Sequence, residues 1–144
     1  MNVVWLKRDL RFYDHAPLYA SYENKIPTLL VYCYEPMLFN DSHYSPRHFD
    51  FVWQSLQQMQ DKLLAYNKTI LVVQQNFIKF LTSLHKSIGI TNLLSHEETG
   101  INITYDRDKL VKSFCKKQNI NWVEYQNNGV LRGKKNRKQW IQNW

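Results

Sequence analysis

Glycine is scarce in this chain of 144 residues. There are four, at positions 89, 100, 129 and 133, and none follows the first strand-like segment. Neither Gly-x-Gly-x-x-Gly nor Gly-x-x-x-x-Gly-Lys-Ser/Thr occurs, which argues against the backbone grip on pyrophosphate that ordinary NAD-binding and ATP-hydrolysing domains use. A Gly-x-Ser-x-Gly nucleophile elbow is missing as well. Cysteine is limited to Cys33, inside an apolar run, and Cys115, on a helical face. Both read as small buried apolar residues in a reducing cytosol, not as a disulfide. No apolar run approaches the ~20 residues of a membrane span. Strand-like sequence starts at Asn2 and leaves no room for a leader, so a cytoplasmic location is expected.

Acid is missing from one place in particular. The last sixteen residues hold Arg132, Lys134, Lys135, Arg137 and Lys138 and no Asp or Glu. The overall charge of +7 therefore divides unevenly, because the first 128 residues carry 14 basic against 12 acidic side chains, a balance of +2. The body is nearly neutral and the basicity belongs to a tail, whereas a general nucleic-acid-binding domain spreads charge over a face. What is present is an ordinary globular composition, 44% hydrophobic and 22% charged, with a high aromatic share of 15% suited to a flat ligand or a partner surface.

The chain is organised around residues 3–18. Residues 3–6 (Val-Val-Trp-Leu) form an apolar run too short for a helix and too continuous for a solvent-washed strand. They predict a buried parallel strand, with the charged run Lys7, Arg8, Asp9 and Arg11 at its carboxyl end, where open α/β sheets bind ligands. Asp14 is placed to cap a helix from His15, with Leu18 and Tyr22 one turn apart. Residues 28–34 give a second strand and residues 37–44 a loop. Ser45-Pro46 opens a long helix whose stripe of Phe49, Val52, Trp53, Leu56, Met59, Leu63 and Leu64 should face the sheet.

Residues 69–73 predict a third strand. Asn76 caps a helix carrying Phe77, Phe80, Leu81, Leu84 and Ile88 inward, ended by Gly89. Residues 90–94 predict a fourth strand. A helix from about Asp106 turns Leu110, Val111, Phe114 and Cys115 inward. Residues 120–125 predict a fifth, edge strand. The sum is an α/β fold: a five-stranded, mainly parallel sheet in three layers, Rossmann-like, with helices on both faces. It occupies residues 1–126, followed by a basic and aromatic linker or tail over 127–144, in which Trp140, Ile141 and Trp144 share a helical face.

Chemistry-bearing residues are few. No metal site stands out among His43, His48, His85 and His96, and no catalytic residue is assigned. Two roles are open to Arg8, Asp9 and Arg11: fixing the turn by internal pairing, or lining a pocket. The same two roles are open to Glu97 and Glu98, which follow a strand at the binding edge.

The order of motifs then carries a resemblance. Residues 5–11 (Trp-Leu-Lys-Arg-Asp-Leu-Arg), followed by residues 14–18 (Asp-His-Ala-Pro-Leu), resemble the N-terminal signature of the DNA photolyase/cryptochrome family. Residues 31–36 (Val-Tyr-Cys-Tyr-Glu-Pro) are similar to the family's second strand, and Ser45-Pro46-Arg47 to the start of its long helix. Glu98-Thr99-Gly100 and Arg107-Asp108 resemble the loop and helix after its fourth strand. Asn128-Gly129-Val130, Arg132, Arg137, Trp140 and Trp144 resemble the linker leaving the domain.

The resemblance implies an N-terminal antenna domain that holds a light-harvesting chromophore of flavin, deazaflavin or folate type, or none, in support of light-dependent DNA repair or light sensing. FAD and damaged DNA would be bound by a helical domain that these residues do not include, so this chain alone should be inactive as a lyase. Matched residue by residue, the antenna site would involve Arg8, Asp9, Leu10, Arg11, Glu35, Arg47, Glu97 and Glu98. Folate-binding members place a His before Ser-Pro-Arg and an Asn-Glu pair after strand four; here His43 and His96-Glu97 are out of register and the Asn is missing. The implied partners are the helical FAD domain and, through residues 129–144, a second copy of the chain. The alternative is a stand-alone module for a nucleotide-like ligand or for nucleic acid.

Overall fold

The computed structural model describes residues 1–130. Expectations about the basic tail, including its helical face and its part in self-association, fall on residues outside that range. Five strands, β1 (Asn2–Leu6), β2 (Thr28–Tyr34), β3 (Ile70–Gln74), β4 (Asn92–His96) and β5 (Asn121–Tyr125), form one sheet in the order β3-β2-β1-β4-β5. Every pairing is parallel, with Val4 opposite both Leu30 and Leu94. The chain leaves β1 toward one edge for β2 and β3 and toward the other for β4 and β5. The switch in direction therefore falls between β1 and β4, the position where open sheets of this kind accept ligands.

Five helices connect the strands: α1 (Ala16–Glu23), α2 (Pro36–Phe39), α3 (Pro46–Leu64), α4 (Phe77–Ile88) and α5 (Asn102–Lys117). Alternation along β1 separates two cores. Val3 and Trp5 pack with Phe77, Leu81, Val111 and Cys115 under α4 and α5. Val4 and Leu6 pack with Leu56 and Met59 of α3, against which Leu18 of α1 also leans. Both cysteines are free and buried, and burial pushes each thiol up to about 12, which leaves them inert. No described helix is long and apolar enough to cross a membrane.

The structure corrects several local expectations. Part of the expected loop at 37–44 is the short helix α2, opened by Pro36 at its first turn. The fourth strand starts two residues later than expected, and α5 starts at Asn102, four residues before Asp106. His15, not Asp14, caps α1: its Nδ1 accepts the Leu18 N–H at 3.3 Å. Asp14 instead takes a left-handed turn at φ 49°. Tyr22, Trp53, Leu64 and Leu110 point outward, between 54% and 78% exposed. An apolar stripe wider than the surface it covers leaves its margins in water.

Candidate functional site

The carboxyl ends of β1 and β2 and the segment after β4 meet the first turns of α3 and α5 around a cavity of about 570 Å3. That volume lies within the roughly 300–1,000 Å3 usual for small-molecule sites. The strand ends supply Trp5, Leu6 and Tyr32 to its walls, and α2 supplies Leu38. Tyr44, Phe49, Phe51 and Val52 line it from the α3 side, and Ile101 and Thr104 from the start of α5. Rings gather on the α3 side: Tyr44 and Phe49 stack with centroids 5.7 Å apart, and Phe49 is backed by Phe39 at 4.7 Å. An aromatic wall of this kind suits a flat conjugated ligand.

Beneath the cavity lies a buried ionic network centred on Arg107. Its guanidinium donates through Nη1 to Glu35 Oε2, through Nη2 to Glu98 Oε2 at 3.1 Å, and through Nε to Asp108 Oδ1 at 2.9 Å. Lys7 Nζ bonds Asp108 Oδ2 at 2.8 Å and the His96 carbonyl at 3.1 Å. Burial pushes the Glu35 carboxyl up, with Arg107 pulling against it, and lowers the Lys7 ammonium, with Asp108 pulling against that. Both cations also face the indole of Trp5, with Lys7 Nζ 4.2 Å and Arg107 Cζ 4.6 Å from the ring centroid.

At the mouth, Arg8 Nη2 reaches Glu98 Oε1 at 3.5 Å and the Tyr44 hydroxyl at 3.4 Å. Gly100 makes that approach possible. A Cβ there would stand 1.9 Å from Arg8 Nη2 and 2.7 Å from Glu98 Oε1. The α3 N-terminus is secured nearby by His48, whose Nδ1 accepts the Ser45 N–H at 3.0 Å in the manner of a capping box.

A second buried cluster adjoins this network. Asp9 Oδ2 lies 2.6 Å from His96 Nδ1 and 2.7 Å from His15 Nε2, and Asp9 Oδ1 accepts the Lys7 N–H at 2.7 Å. Burial opposes the charge on Asp9, yet the two imidazoles and the backbone N–H prevail and hold its carboxyl well below the usual range. The three ligating atoms lie within 4.8 Å of one another, the donor set of a metal site. The protons decide against that use. His15 Nδ1 is occupied by the Leu18 N–H, which assigns the ring proton to Nε2 and leaves no lone pair there for a cation. That N–H approaches Asp9 without hydrogen-bond alignment, so the contact is a close polar approach and not a straight bond.

Of the residues expected beside a ligand, Arg8, Leu10, Glu35, Arg47 and Glu98 line the cavity. Asp9, Arg11 and Glu97 do not. Asp9 faces the histidine pair. Arg11 donates to the Tyr13 and Asp14 carbonyls and to Asn127 Oδ1 at 2.7 Å, and so fixes the turn and the start of the segment after β5. Glu97 gives its backbone N–H to the Tyr125 carbonyl, which extends the pairing of β4 with β5. Sequence reasoning named Lys7 in the charged run without counting it in the site, and it missed the buried role of His15. It quoted Arg107 and Asp108 without placing them. Thr104, Arg107, Asp108, Val111 and Cys115 recur at helical spacing, and that stripe puts two charges on an inward face, a signal available in the sequence.

The parallel sheet and its switch point define an open α/β domain with an aromatic-lined cavity over its carboxyl edge. The DNA photolyase family model matches residues 2–139, and the chain belongs to that family. The deoxyribodipyrimidine photo-lyase of Vibrio cholerae is 27% identical over 135 residues, covering 91% of this chain and 29% of the relative. Cryptochrome DASH of Synechocystis is 28% identical over 101 residues, covering 67% of this chain and 21% of the relative. Among solved structures, the photolyase of Sulfolobus tokodaii superposes with a TM-score of 0.81 at 18% identity, over 99% of this chain and 34% of that one. The Synechocystis cryptochrome gives 0.79 at 24% identity, over 88% of this chain and 27% of that one. The chain thus spans under a third of the curated relatives it matches.

Proposed function

We propose that the cavity over β1, β2 and β4 is a chromophore site, and that this domain collects light for a helical FAD-binding unit engaged in DNA repair or light sensing. The observation that carries the reading is the cavity itself: about 570 Å3, walled by aromatic rings, at the switch point of a sheet whose relatives are photolyases and cryptochromes. The Sulfolobus tokodaii photolyase is described with two FAD molecules and a novel light-harvesting cofactor, which supports a flavin among the candidates. A bound chromophore would supply absorption in the near ultraviolet or visible and pass the excitation on.

This chain's own residues would bind and orient the ring. Tyr44, Phe49 and Phe51 would cover one side of it from α3, Trp5 and Leu6 would exclude water beneath it, and Arg8 and Arg47 would meet its polar end. Gel filtration of the purified chain after incubation with FMN, a deazaflavin or a reduced folate tests the reading. Co-elution of at least one of them in a 1:1 ratio is expected; retention of none contradicts it.

A further inference from the structure

The segments that lead into the strands carry a charge that the composition conceals. All five strands run parallel, so the segments before β3, β2, β1, β4 and β5 stand side by side, in that order, along the amino edge of the sheet. Lys68 precedes β3, Lys25 precedes β2, and the exposed amino terminus opens β1. Lys62, Lys86, and the pair Lys116 and Lys117 lie in the last turns of α3, α4 and α5, which end at the same edge. Among the described residues there, only Glu23 and Asp61 oppose these six lysines, a balance of +4. The other residues up to 128 carry 8 basic against 10 acidic side chains, a balance of −2. The nearly neutral body is therefore polarised by its fold.

These lysines are also uncommitted. All six are exposed, and within the described residues none enters a salt bridge. Near the cavity the bases are spent differently, since Lys7, Arg8 and Arg107 are each paired with a carboxylate. Helix ends explain part of the pattern, because a C-terminus carries about half a negative charge and favours a cation in its last turn. The four helix ends offset about two of the five charges present when the terminal amine is counted, and an excess remains. Lys25 and Lys68 lie in the loops, past any last turn.

Adjacent strands lie about 4.8 Å apart, so the row of charges spans about 19 Å from β3 to β5. Two rings stand in the same turns: Tyr22 is 78% exposed and Tyr66 74% exposed. We infer that the amino edge is a docking surface for single-stranded nucleic acid, with the lysines along the phosphates and Tyr22 and Tyr66 offering faces on which bases stack. Unpaired lysines alone attract any polyanion. The exposed rings favour one whose bases are open, over a duplex or a lipid headgroup. The surface lies at the opposite edge from the cavity and does not depend on the chromophore reading.

Fluorescence anisotropy of a labelled oligothymidine of about 20 nucleotides, titrated with the full chain at several salt concentrations, tests this. The basic residues after 130 are common to every protein compared, so differences between variants report on the edge. The double variant Lys25→Gln, Lys68→Gln should weaken binding about fivefold or more and reduce the slope of log affinity against log salt by about 1.4, the value for two phosphates on a single strand. The double variant Lys79→Gln, Lys109→Gln removes the same charge from exposed helix surface away from the edge and should change affinity by less than about twofold. The double variant Tyr22→Ala, Tyr66→Ala should weaken oligothymidine binding and leave binding of polyphosphate, which has no bases, unchanged.

Equal losses in the two lysine variants overturn the inference, as does an unchanged oligothymidine affinity in the tyrosine variant. Binding of the wild type to phosphatidylserine vesicles without binding to oligothymidine assigns the edge to a membrane and overturns it too. None of these results bears on the cavity.

Discussion

Arg107 is the residue on which the site's electrostatics turn. It stands between Glu35, Glu98 and Asp108, and Lys7 shares only the last of these. Arg107→Met would leave buried carboxylates without their cation and should destabilise the fold by about 3–5 kcal/mol, as removing one partner of a buried ion network does. Urea unfolding would measure this, and a loss below about 1 kcal/mol would show that the network is already relieved by water. Asp9 supplies a pH signature. Its folded carboxyl is depressed, so its contribution is present above the ordinary value of about 3.9 and is lost as pH falls from there through the lowered folded value. Glu35 is raised and carries the opposite sign, so the difference between wild type and Asp9→Asn is the clean quantity. That stability difference should hold steady above about pH 5 and shrink as pH falls below about 4; a difference constant with pH would contradict the role given to the two imidazoles. Gly100→Ala acts locally. The atom it would strike first is the tip of the flexible Arg8, so Tm should move by only about 2–4 °C or less while Arg8 is driven off Glu98. The sequence showed these charges at the sheet edge but not their pairing, since Glu35 and Arg107 lie 72 positions apart and meet only when β2 and α5 are assembled.

Elements were legible wherever a period was strong. The apolar runs of β1 and β2 and the stripes of α3 and α4 announce themselves, because a buried strand and an amphipathic helix each need their pattern to bury a face. The failures are at margins. The four residues of α2 are too few to show a period, and α5 opens with Asn102, Ile103 and Thr104, where no Ser, Thr, Asp or Asn stands at the N-cap position to mark the start. Another element-scale feature went unread: Asn2, Asn92 and Asn121 occupy paired positions on β1, β4 and β5. Asn92 Nδ2 donates to Asn2 Oδ1 at 2.8 Å, and Asn121 Nδ2 donates to Asn92 Oδ1 at 3.0 Å, forming a polar ladder across the amino edge of the sheet. Asn2 is fully buried, so Asn92→Ala would leave its amide oxygen unpaired. The expected cost is about 1–3 kcal/mol in urea unfolding, with an unchanged far-ultraviolet spectrum. A neutral result would mean that the ladder follows the register of the strands without helping to hold it.

At the scale of the whole molecule, the described residues form one sheet with helices on both faces and a cavity at the carboxyl edge, opposite the asparagine ladder. Most of this architecture was legible, since alternating strand and helix patterns permit few topologies. The cavity was legible only as a location: the turn after β1 pointed to the right edge of the sheet, but its walls come from five separate stretches of chain. Family membership covers residues 2–139, while repair, light sensing and the helical partner concern a length of relative more than three times that of this chain. The central claim is therefore the one that these residues can answer by themselves, namely that the aromatic cavity holds a chromophore. Isothermal titration of FMN into the wild-type chain and into Leu38→Trp, which fills the cavity from α2, tests it most directly. The account predicts one site per chain in the wild type and a loss of about tenfold or more in affinity in Leu38→Trp, with the fold intact by circular dichroism. Equal affinity in the two proteins would place the ligand elsewhere and contradict the account.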